Sequence, residues 1–150
     1  YCVNLSRLVF GSEPEAVGAF VVRDPSSGVD ILTSGTLQFG AGLASFTCAT
    51  QVEPDQRVHV YGTQGRASIE IPFNIPPTIP TRISVTAGGE PPVAPATEVI
   101  EFAPADPYAC EADAFARAIL DGTPPPVDPA DALANLRVIE RLFAAAEGTR

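Results

Sequence analysis

The sequence predicts an α+β domain: an open, mostly antiparallel sheet with helices packed on one face. Three observations lead there. The first hundred residues hold a run of short segments rich in branched and aromatic side chains, joined by glycine- and proline-bearing connections too short for crossovers. After residue 105 the apolar period lengthens from two to about 3.6, the helical value. Asp106-Pro107 and Asp128-Pro129 each place a capping residue before a proline, the signature of a helix start.

The elements follow in order. Tyr1 to Gly11 reads as a helix already under way, with Val3, Leu5, Leu8 and Val9 at mixed helical spacing. It closes before Pro14, because a proline pushes the preceding residue out of helical geometry. There is no initiator Met and no start signal, so residues completing an active site are expected upstream. Ala16 to Arg23 is a strand, and Asp24-Pro25-Ser26-Ser27-Gly28 is a turn. Val29 to Phe39 is a strand with Ile31, Thr33, Gly35, Leu37 and Phe39 on one face and Leu32, Ser34, Thr36 and Gln38 on the other. Gly40-Ala41-Gly42 turns the chain into a strand from Leu43 to Gln51.

Arg57 to Tyr61 and Ala67 to Ile71 flank Gly62-Thr63-Gln64-Gly65, a hairpin. Four prolines between 72 and 80 exclude a central strand. Arg82 to Thr86 and Glu98 to Phe102 are strands around a Pro/Gly-rich loop at 88–95. Two helices close the chain. One has Tyr108, Ala112, Phe115 and Ile119 on a face and stops at Asp121-Gly122. The other has Leu133, Leu136, Ile139 or Glu140, and Phe143, and runs to Gly148. The expectation is one sheet of five to seven strands in a single domain, 1–150.

Composition narrows the chemistry. The chain has 150 residues, 45% of them apolar, and a net charge of −9. All nine basic residues are arginines. Without a basic stripe it is not a nucleic-acid binder. Without lysine it offers no Schiff base. No apolar run approaches the roughly 18 residues of a membrane span. Three widely spaced cysteines, Cys2, Cys48 and Cys110, fit a reducing cytoplasm better than a disulfide framework, and each reads as a small buried residue. The Arg-only, Ala- and Pro-rich composition suits a bacterial source. With one histidine and no paired ligand spacing, no metal site is expected. His59 sits mid-strand without a triad acid and reads as structural or solvent-facing. Gly62-Thr63-Gln64-Gly65 lacks the strand-to-helix context of a dinucleotide fingerprint. Asp128 and Asp131 suit the positive end of a helix dipole. Composition and spacing stop at an α+β domain.

The order of segments goes further. Tyr1-x-x-Asn4-x-x-Arg7-Leu8-x-x-Gly11-x-Glu13-Pro14, a strand, Val60-Tyr61-Gly62-Thr63-Gln64-Gly65, Asp106-Pro107-Tyr108, Phe115-x-x-Ala118-Ile119-x-x-Gly122 and Asp131-Ala132 follow one another. This series resembles the C-terminal domain of the glucose–fructose oxidoreductase/inositol dehydrogenase (Gfo/Idh/MocA) family over essentially the whole chain. The resemblance implies a missing N-terminal Rossmann domain that binds NAD or NADP, while this domain binds no cofactor itself. It implies a sugar, polyol or related carbinol as substrate, and a homodimer through the sheet. It places Tyr1 at the final position of an Asp-x-x-x-His/Tyr segment, a catalytic position, and Asn4 at a position that often touches substrate. One helical turn separates the two, so they can face one pocket. Tyr1 as a packing residue at a helix end remains open, as do a non-catalytic binding or dimerisation module and a carbohydrate-binding domain.

Overall fold

The structure, a computed structural model, describes residues 1–40, 42–88 and 96–148. Residues 89–95 of the expected loop, and Ala41 of the turn, lie outside the described residues. The elements are α1 (Cys2–Phe10), β1 (Ala16–Arg23), β2 (Asp30–Phe39), β3 (Gly42–Ala49), β4 (Arg57–Gly62), β5 (Gly65–Glu70), β6 (Thr81–Ala87), β7 (Thr97–Phe102), α2 (Pro107–Asp121) and α3 (Pro129–Glu147). They belong to two units, residues 1–53 with 127–150, and residues 54–126. The α+β class with open antiparallel sheets is as the sequence implies. The single sheet is corrected to two, of order β1-β2-β3 and β4-β5-β6-β7.

In the first unit, β2 is central, and its register sets everything else. Ala19 pairs with Gly35 and Gly35 with Phe46; Val17 pairs with Leu37 and Leu37 with Ala44. These residues share the inner face with Thr33 and Phe39. Thr33, Gly35, Leu37 and Phe39 are all buried, and Ser34, Thr36 and Gln38 between them are exposed, as the alternation predicts. Helices α1 and α3 cover the inner face. The core is Val3, Ala19, Leu37, Phe39, Val138 and Leu142. Leu37 is fully excluded from solvent, so its burial contributes about 1.5–3 kcal/mol. Phe10 stacks on Phe39 with ring centroids 4.2 Å apart, which seats the end of α1 on the sheet. Arg141 donates to the carbonyls of Pro14 and Glu15, both at 2.9 Å, and ties α3 to the chain leaving α1.

The faces of α1 and α3 differ from the sequence reading. On α1, Leu8 and Val9 are exposed, while Val3 and Arg7 are buried and Phe10 packs beside them. On α3, Val138 and Leu142 are buried, whereas Leu133 and Leu136 are exposed. Both helices carry more apolar positions than one stripe needs, so periodicity alone cannot choose between stripes.

In the second unit, Gly62 pairs with Gly65 around a two-residue turn, Thr63-Gln64. A Cβ on Gly65 would lie 2.6 Å from the Thr86 carbonyl oxygen, so the close approach of β6 requires glycine there. Thr86 is buried and shares a 3.0 Å hydrogen bond with Thr97 across β6 and β7. Asp106 caps α2 by accepting from the N–H groups of Tyr108 and Ala109. Gly122 ends it in the left-handed conformation, φ 65°. The expected apolar face of α2 is corrected: Tyr108, Phe115 and Ile119 are exposed, and Ala118 is its one buried residue among those described.

Candidate functional site

The site expected from the sequence lies on α1. Tyr1 is its N-cap, with a backbone carbonyl that accepts from the Leu5 N–H at 2.9 Å. Its side chain is 77% exposed. Asn4 is exposed one turn further on, and Leu8 one turn beyond that. A spacing of three, then four, places all three on one stripe. The neighbouring stripe, Val3, Arg7 and Phe10, faces the protein. The structure therefore brings Tyr1 and Asn4 onto a common, outward-facing surface. His59, on β4, is exposed and stacks loosely on Tyr61 with centroids 6.2 Å apart.

Beneath α1 sits a charged cluster that the sequence reading missed. Arg7 is 8% exposed. Its Nε donates to both Glu13 carboxylate oxygens at 3.0 Å, and Nη2 donates to Glu13 Oε1 at 2.6 Å. Nη2 also donates to Asp131 Oδ1 at 2.7 Å, and Nη1 reaches the Asp131 carbonyl at 3.5 Å. The hydrogen bonds to Glu13 and Asp131 raise the Arg7 pKa above its ordinary value. In return the Arg7 hydrogen bond holds the Glu13 carboxyl below the usual carboxylate range. Arg7 and Glu13 are six residues apart in sequence, whereas Asp131 is 124 residues away, so only the folded chain brings the three together.

Of the three thiols, Cys2 and Cys48 are neighbours. Cys2 is half-buried, and Cys48 and Cys110 are exposed. Burial first, then the neighbouring Cys2 and Asp30, push the Cys48 thiol up, away from nucleophilic character. Among the described residues no group of three His, Cys, Asp or Glu side chains is placed to hold a metal ion. No described helix is long and apolar enough to cross a membrane.

The outer face of the first sheet is a second feature. A shallow depression of about 450 Å³ there is lined mainly by Gly18, Phe20, Ser34, Thr36, Ser45 and Thr47. Ser34 and Thr47 share a 2.7 Å hydroxyl hydrogen bond across the strands. Phe20 is 72% exposed at its margin.

Residues 1–68 match the GFO/IDH/MocA C-terminal domain. It is the C-terminal domain of that family that the chain resembles. It is 36% identical over 148 residues to uncharacterized oxidoreductase ORF334 of Rhizobium meliloti, covering 98% of this chain and 44% of that protein. It is 31% identical over 148 residues to D-xylose 1-dehydrogenase (NADP(+)) 2 of Haloferax volcanii, covering 98% of this chain and 43% of the other. Among solved structures, the aldose-aldose oxidoreductase of Caulobacter crescentus complexed with glycerol matches with a TM-score of 0.81 and 28% identity, over 100% of this chain and 44% of that one. KijD10, a 3-ketoreductase of Actinomadura kijaniata crystallised with NADP, shares the fold with a TM-score of 0.82 at 20% identity, over 97% of this chain and 45% of that one. The chain thus spans less than half the length of these relatives.

Proposed function

We propose that residues 1–150 are the substrate-binding and oligomerisation domain of an NAD(P)-dependent oxidoreductase acting on a sugar, polyol or related carbinol. The observation that carries this reading is the exposed Tyr1–Asn4 stripe at the start of α1. The named activities of the D-xylose dehydrogenase and the aldose-aldose oxidoreductase support the substrate class. Among the described residues nothing forms a strand, glycine-rich turn and helix of the kind that cradles a pyrophosphate. In the proposed enzyme a separate Rossmann domain would hold the NAD(P) and supply the hydride chemistry.

The chain's own residues have separate tasks. Oxidation of a carbinol requires a base for the hydroxyl proton and an acceptor for the hydride; Tyr1 would take the proton on its phenolic oxygen in the phenolate form, and the nicotinamide would supply the hydride acceptor. The Asn4 amide carries both a donor and an acceptor, so it can hold a neighbouring hydroxyl in both directions. Binding through Asn4 fixes the carbinol beside Tyr1, and that positioning converts an encounter into an oriented reaction. The outer sheet face completes the proposal. Phe20 of one copy would enter the hydroxyl-lined depression of a second, giving a two-fold pairing through like faces.

The test is Tyr1→Phe in the full-length protein, assayed by nicotinamide absorbance on a panel of aldoses and polyols that includes D-xylose. Turnover should fall about 10²–10⁴-fold, with KM changed far less. Turnover within about threefold of the parent would return Tyr1 to a packing role.

A further inference from the structure

The Arg7 cluster does more than fill space. A buried cation is a poor way to stabilise a core, since an apolar side chain of similar volume usually serves as well or better. What the cation adds is direction. Val3 against the sheet and Phe10 on Phe39 are apolar contacts, and apolar contacts tolerate small rolls and slides of a nine-residue helix. The guanidinium fork does not. It is planar, and its donors reach two carboxylates at fixed angles. One is Glu13, in the turn after α1; the other is Asp131, in the first turn of α3. The carboxylates fix Arg7 from two elements, and Arg7 in turn fixes how far α1 is rotated about its axis. That rotation decides where the outward stripe points. Asn4 lies one turn from Arg7 on the same rigid helix, and Tyr1 one turn before Asn4.

We infer that Arg7 is a positioning residue: its fork to Glu13 and Asp131 sets the rotation of α1, and thereby aims Tyr1 and Asn4 at the substrate. This rests on the reading of Tyr1 and Asn4 as substrate-facing.

The test uses the full-length protein with three variants. Arg7→Lys keeps the charge and loses the fork. Arg7→Met keeps volume and loses both. Glu13→Gln removes one carboxylate charge from the side that takes two donors. Each is assayed beside Tyr1→Phe, with kcat expressed per folded molecule from circular dichroism at the assay temperature. Arg7→Lys and Arg7→Met are expected to lower kcat about 10–100-fold with KM within about threefold, the loss typical of misaimed groups. Glu13→Gln is expected to fall between them and the parent. A second readout needs no substrate: Cys2 sits on the flank of α1, so its alkylation by a maleimide, relative to exposed Cys110, should speed up when α1 is released.

Arg7 variants that are folded, label at the parent rate at Cys2 and keep parental kcat overturn the positioning role. So does faster Cys2 labelling with unchanged kcat, which would leave Arg7 holding a helix that aims nothing. If Arg7→Met does not fold, Arg7→Lys and Glu13→Gln decide. An unimpaired Tyr1→Phe counts against the catalytic reading of Tyr1. An impaired Tyr1→Phe beside unimpaired Arg7 variants overturns only the positioning role.

Discussion

At the scale of single residues, packing and charge each set a sharp constraint. A Cβ on Gly35 would fall 2.5 Å from Phe46 Cζ and 3.3 Å from Leu142 Cδ2. Gly35→Ala should therefore cost about 1–3 kcal/mol in chemical denaturation. Adding Phe46→Leu should recover part of that loss, because the clash is with the ring. The sequence placed Gly35 on the right face but could not show the ring lying over it, since Phe46 is on the next strand and its rotamer is a tertiary choice. Glu13 sets a pH limit. Its pKa is lowered in the folded state from the ordinary 4.5, so the unfolded chain binds more protons. The stabilisation is complete above pH 4.5 and is lost as the pH falls through the folded value. Asp24, pulled down to about 2 by hydrogen bonds from Ser26 and Ser27, extends the same trend further into acid. The melting temperature should fall on acidification below about pH 4.5, and less steeply in Glu13→Gln. An equal slope in the variant would remove Glu13 from the account.

At the scale of elements, what was legible is what local chemistry decides. Asp106 and Asp128 cap their helices by accepting backbone N–H groups, the latter from Ala130 at 2.8 Å. Gly11 and Gly122 end theirs at positive φ. Asp128→Ala should cost about 1 kcal/mol, read from thermal unfolding, and Asp128→Asn much less, because the amide oxygen still caps. The strands came out within a few residues, because turn residues mark their ends. The buried faces of the helices are not legible in the same way. Leu133, Leu136, Val138, Ile139, Leu142 and Phe143 cover too wide an arc of α3 for sequence to choose the stripe, and only the sheet selects Val138 and Leu142. For α2 the apolar spacing is correct, yet Tyr108, Phe115 and Ile119 stay exposed, so amphipathicity did not imply burial.

At the scale of the whole molecule, the sequence resemblance reached the family and the α+β class, while the split of strands into two sheets was hidden. Nothing in the residues between β3 and β4 differs in kind from the other turns, and hydrogen bonding across them is a matter of three-dimensional register. Two expectations belong here. Titrated by calorimetry, residues 1–150 alone should show no micromolar binding of NADH or NADPH; clear binding would relocate the cofactor site. If the outer face pairs as proposed, light scattering at about micromolar concentration should give a dimer, and Phe20→Asp a monomer, as a charge placed at the centre of a standard-size interface disrupts it. A parent protein that is monomeric would leave that face to another use. The chain path has one more consequence. The first unit is interrupted: β1, β2 and β3 come early, but α3, which supplies Val138 and Leu142 to their core, follows a 73-residue excursion through the second unit. On the ribosome the sheet emerges with α1 but without α3, and the second unit can collapse first, as a nested module. Native contacts of such long sequence separation slow folding through loop closure. Shortening the excursion to a brief flexible tether should therefore speed the docking of α3.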